Sequence, residues 1–76
     1  MMTPAAQAHV KMEAKLALDS ADTHTVTGVA IQRVRRKGKP VRFRVTADAQ
    51  TIVNNCGMHR ALVDFAYALD MGEPNG

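Results

Sequence analysis

The sequence predicts an α+β fold: a three-stranded antiparallel sheet, a β-meander, followed by two helices packed on one face. Three observations carry this. Apolar and polar residues alternate over 10–18 and again over 41–45, the period of a half-buried strand. A stretch rich in Thr, Val and Ile runs into the basic turn Arg36-Lys37-Gly38-Lys39-Pro40. From Ala49 onward the apolar residues recur at three- and four-residue spacing, the period of a helix. With 76 residues there is room for one core. The domain is drawn over residues 10–72, with a flexible N-terminus at 1–9 and a tail at 73–76.

The first strand rests on Val10, Met12, Ala14, Leu16 and Leu18, with Lys11, Glu13 and Lys15 between them. Ala, Glu, Lys, Leu and Met are good helix formers, so residue type and periodicity disagree here. The alternation favours the strand. Asp19-Ser20-Ala21-Asp22 reads as a turn.

Thr23 to Arg35 is read as the second strand, with Gly28 marking a bulge. Val41-Arg42-Phe43-Arg44-Val45 is the third, and the two form a hairpin around Gly38. Pro40 lacks an N–H and belongs at a strand start or an edge. A two-residue turn at Lys37-Gly38 sets Val34 opposite Val41 and Gln32 opposite Phe43. A three-residue turn sets Ile31 opposite Val45 and Arg33 opposite Phe43, and a bulge would reconcile the two. In either register Arg42 and Arg44 point away from Phe43 and Val45.

Thr46 is a fitting N-cap for the first helix, with Asp48 in its first turn. Ala49, Ile52, Val53 and Cys56 then share one helical face, and Asn54, Asn55 and Gly57 end it. The second helix spans about Met58 to Met71. Met58, Ala61, Leu62, Phe65 and Leu69 form its main stripe, and Val63, Tyr67 and Met71 a second line on its flank. Residues 49–68 also match a helix-turn-helix in part, with Gly57 at the turn. Val53 is too large for the close helix contact, and the outward surface of the second helix carries Asp64. A plain helical hairpin is the better reading.

Charge is unevenly distributed. Seven of the ten basic residues, Arg33, Arg35, Arg36, Lys37, Lys39, Arg42 and Arg44, fall between positions 33 and 44, with no acid among them. The rest of the chain has three basic residues against seven acidic ones. A polyanion would relieve the repulsion in the hairpin, and Arg is suited to forked phosphate contacts. The expected function is a small non-catalytic nucleic-acid-binding or regulatory protein that contacts DNA or RNA phosphate through these seven residues. Two plainer readings compete: basic residues that guard a sheet edge, and a patch that docks on an acidic protein surface. The alternative function is a modulator or inhibitor of a larger host protein. In size and composition the chain resembles accessory proteins of phages and mobile elements, and no motif names a family.

Leu, Ile, Val and Phe make up only 16 of the 76 residues, so the core is thin. Val63, Tyr67 and Met71 therefore serve as a candidate homodimer or partner interface. The single Cys excludes an internal disulfide. Cys56 and His59 have a spacing that could supply two zinc ligands. Only His9 and His24 remain as nitrogen donors, and nothing pairs them by spacing. Cys56–His59 as a nucleophile pair lacks an orienting acid. Asp19, Asp22, Asp64 and Asp70 read as solvated surface. No metal, cofactor or enzymatic activity is expected. No secretory leader or membrane span is evident, so a cytoplasmic location is expected.

Overall fold

The computed structural model describes residues 2–72 and shows an α-β-β-β-β-α chain. Its elements are α1 (Pro4–Ser20), β1 (Thr23–Val26), β2 (Val29–Val34), β3 (Arg42–Ala47), β4 (Gln50–Cys56) and α2 (Met58–Gly72). The strands form one antiparallel meander in the order β1-β2-β3-β4. The α+β class stands, with four strands in place of three and one helix before the sheet.

The strand expected at 10–18 is α1 instead, and residues 4–9, expected to be a loose terminus, are its first turns. Pro4 sits at the first helical position, where its missing N–H costs nothing. Thr3 caps it, its hydroxyl oxygen accepting from the Ala6 N–H at 3.1 Å. The alternation misled because it contains two helical rows. Val10, Ala14 and Leu18, four apart, face the sheet, with Ala14 and Leu18 fully buried. Met12 and Leu16 lie roughly half a turn away and are 56% and 61% exposed.

The long strand expected over Thr23–Arg35 is two strands. Val26 pairs with Val29 across a two-residue turn in which Thr27 has φ 45° and Gly28 has φ 82°. Two positive φ values define the turn that suits a twisted hairpin. Gly28 thus makes a turn, where a bulge was expected.

The β2–β3 hairpin follows the second of the two registers considered. Ile31 pairs with Val45 and Arg33 with Phe43. Arg42 and Arg44 stand on the face opposite the buried Phe43 and Val45, as expected.

Residues 50–56 are a strand, so the helix expected there and the helix-turn-helix reading both fall. Thr46, expected to be an N-cap, pairs with Thr51 in the sheet. The helical spacing of Val53 and Cys56 has another cause. Val45 faces Val53 and Phe43 faces Cys56, so three steps on β4 match two on β3. The bulge turns an odd spacing into two residues on the same side.

α2 lies where the sequence placed it. Ala61, Phe65, Ala66 and Leu69 are buried. They join Ala14 and Leu18 of α1, Val29 and Ile31 of β2, Phe43 and Val45 of β3, and Cys56 in one core. Both helices therefore cover the same face of the sheet. The Met2 N–H donates to the Asp70 carboxylate, and Lys15 lies beside Met58 and Leu62, so the helices run antiparallel. No described helix covers the other face of the sheet. The tail expected at 73–76 lies outside the described residues. No helix among the described residues is long and apolar enough to cross a membrane.

Candidate functional site

The structure divides the seven basic residues into three groups. Arg33 stands on the helix side of the sheet, its side chain 14% exposed and 3.7 Å from the Asp22 carboxylate. Its guanidinium lies 5.8 Å from the centre of the Phe43 ring. Arg35 reaches the same carboxylate, with Nε donating to Asp22 Oδ1 at 3.2 Å. Asp22 was read as solvated surface. The register explains its role: Thr23 pairs with Gln32, so Asp22 falls beside Arg33, whose N–H donates to the Asp22 carbonyl at 2.7 Å. One carboxylate thus answers two of the seven cations.

Arg42 and Arg44 form the second group, on the face away from the helices. Arg42 Nη2 donates to the Asn55 carbonyl at 2.8 Å, and its Nε donates to Asn55 Oδ1 at 3.2 Å. Asn55 presents both oxygens because it sits in the β4 bulge at φ 57°, a conformation Asn tolerates better than most residues. Arg44 Nη2 donates to Gln32 Oε1 at 2.8 Å across the β2–β3 pair. The Arg44 Nε is enclosed and has no partner among the described residues. Both guanidiniums are held by uncharged partners, Asn55 and Gln32.

Arg36, Lys37 and Lys39 form the third group. They lie in the connection of residues 35–41, exposed, with no side-chain partner among the described residues. The Lys39 N–H donates to the Arg36 carbonyl at 3.1 Å, which closes the turn over Lys37 and Gly38. Gly38 supplies the positive φ of 74° that the turn needs.

Between this turn and the β4 bulge lies a cleft of about 340 Å³. Val34, Arg36, Lys39, Pro40, Arg42, Asn54 and Asn55 line it. Three of the seven are cations and none is an acid. At this end of the sheet the Asp22 carboxylate is engaged with Arg33 and Arg35 and does not line the cleft. The sequence pointed to Arg36, Lys39 and Arg42 and missed Asn54 and Asn55, which were read as helix-ending signals. An Asn-Asn pair suits a left-handed bulge equally well.

The other candidates are dispersed. The Cys56 thiol points inward to the Phe43 carbonyl at 3.5 Å. His9 pairs with Glu13 at 2.7 Å, the His24 ring packs 5.7 Å from Phe65, and His59 is exposed. No cluster of three or more His, Cys, Asp or Glu able to hold a metal occurs among the described residues. Arg60 donates to Asp64 at 2.7 Å, and that carboxylate raises the pKa of the guanidinium. On α2, Val63, Tyr67 and Met71 are 39%, 62% and 67% exposed. Comparison with protein-family models, curated proteins and solved structures found no match.

Proposed function

We propose that this protein is a non-catalytic, phosphate-contacting nucleic-acid-binding protein that uses the loop end of its sheet. The observation that carries the reading is the set Arg36, Lys39 and Arg42 lining an acid-free cleft, with Lys37 exposed on the adjoining turn. Cations already answered by carboxylates gain little from a new anion. Those at the loop end are unanswered or held only by an amide, so they gain the most. Arg33 and Arg35 are left out of the contact set because they share the Asp22 carboxylate, which offsets one of their two charges. Arg44 contributes a fixed charge behind the cleft.

The test is fluorescence anisotropy of labelled duplex DNA, single-stranded DNA and RNA at several salt concentrations. Four phosphate contacts give a slope of about −3.6 for log K against log[salt] on duplex, and about −2.8 on single strands. Absence of binding to all three at low salt overturns the reading. It would favour an acidic protein surface as the partner of the same loop.

A second reading concerns self-association. Met12 and Leu16 on α1 and Val63, Tyr67 and Met71 on α2 all turn away from the core. A layer of two helices with an apolar outer face favours a homodimer that doubles the basic loops. Sedimentation equilibrium of the protein and of Tyr67→Asp tests it; a monomer at all concentrations removes it.

A further inference from the structure

We infer that the cleft at the loop end is a seat for a single unpaired nucleotide, so that the protein prefers single strands to duplex. The inference rests on the phosphate-contacting reading above and assigns a ligand class to the same site.

Size comes first. A surface that only touches a phosphate backbone needs no concavity, since phosphates project from the strand. The cleft has a volume of about 340 Å³, room for about ten water-sized volumes at roughly 30 Å³ each. That is far more than a phosphate group fills, and it lies at the lower end of the range that encloses small organic molecules, about 300–1,000 Å³.

The lining comes second. It is divided by chemistry as a nucleotide is. Arg36 and Lys39, without partners, suit the phosphate. Val34 and Pro40 supply apolar surface for a ring. The Arg42 guanidinium is fixed by two hydrogen bonds to Asn55. A guanidinium plane held in this way is a stacking surface that does not need to be ordered on binding. The Asn54 side chain lines the cleft and has no partner among the described residues. Its amide offers both a donor and an acceptor, which can meet the edge of a base. Bases inside a duplex are stacked and paired, so only an unpaired or extruded nucleotide can bring ring and edge into such a site.

The usual single-strand platform of exposed aromatic rings is absent from the described sheet: of the rings in its strands, Phe43 is buried and His24 packs against Phe65. A single seat therefore replaces a run of stacked bases.

The test uses an eight-nucleotide DNA strand, the same eight-unit backbone with every base removed, and a duplex of the same sequence. The two strands carry equal charge, so they separate base from phosphate. The intact strand is expected to bind about tenfold more tightly than the abasic one, within the range of one base stacking on a protein surface. Asn54→Ala, at an exposed position, should reduce that ratio several-fold and leave the salt slope unchanged. Lys37→Ala, outside the cleft, should lower the slope by about 0.7 and leave the ratio unchanged. Equal binding of intact and abasic strands, with the expected salt slope, overturns the seat and leaves the phosphate reading standing. A duplex that binds more tightly than the intact strand also overturns it. No binding of any probe at low salt overturns both.

Discussion

At one end of the sheet the Thr27–Gly28 and Asp48–Ala49 turns lie side by side, each of two residues, and the Asp48 N–H donates to the Gly28 carbonyl at 3.0 Å. At the other end, residues 35–41 connect β2 to β3 through a longer loop with three unpartnered cations beside an open cleft. The closed end holds three non-glycine residues at positive φ: Thr27 at 45°, Asp48 at 51° and Ala49 at 67°. Thr is β-branched and ill suited to that region. The strain is tolerated because two hairpins fix each other. The β2–β3 loop is built the other way, with Gly38 where φ is positive and open space around it, and the other positive φ at that end falls on Asn55, a residue type that tolerates it. One end of the sheet is closed by two interlocked turns, and the other carries a longer, exposed loop.

This contrast can be broken most strongly at Gly28. A Cβ there would meet Asp48 Oδ1 at 3.0 Å, at a φ of 82°. Gly28→Val should cost about 3 kcal/mol in urea denaturation, at the upper end of what such backbone strain stores. Gly38→Val meets nothing within 4 Å, and a loop that can relax should limit its cost to about 1 kcal/mol. Equal costs at the two glycines would remove the distinction between the ends.

Relief of strain gives the opposite sign. Thr27→Asn and Ala49→Gly bring the two closed turns to the Asn-Gly and Asp-Gly sequences such turns prefer. Each should raise stability by about 1 kcal/mol. A loss of stability in either would mean that the side chain replaced has a contact worth more than the strain.

The smallest stability effect is expected at the loop end. The double variant Arg36→Ala with Lys39→Ala should change unfolding free energy by less than about 0.5 kcal/mol. Its salt slope on duplex DNA should become shallower by about 1.8. A large loss of stability would make these residues structural and weaken their assignment to a ligand.

The two helices show how unevenly the fold was legible. α2 has its core residues at Ala61, Phe65 and Leu69, one row, and its boundaries could be read directly. α1 carries Val10–Ala14–Leu18 and Met12–Leu16 as two rows, which together imitate a strand. Its helix formers, and Pro4 following Thr3, were the better guide. The strand β4 imitated a helix for the converse reason, because register shifts at Ile52 and at Asn54–Asn55 disturb its period. At the site, the clustering of cations was legible and their fates were not. Nothing local shows that Asp22 lies against Arg33 and Arg35, since that contact depends on a hairpin turning at Thr27–Gly28.

The sequence by itself determined the β2–β3 hairpin, the helix α2 and the concentration of positive charge between residues 33 and 44. These depend on residue type and short-range period, which act within a few positions along the chain. Tertiary structure alone decided which cations are answered, that Asn54 and Asn55 join Arg42 at a cleft, and that residues 10–18 and 50–56 exchange their expected forms. Those outcomes depend on pairing between segments distant in sequence, where burial of Leu18 and Cys56 in one shared core outweighs the local pattern.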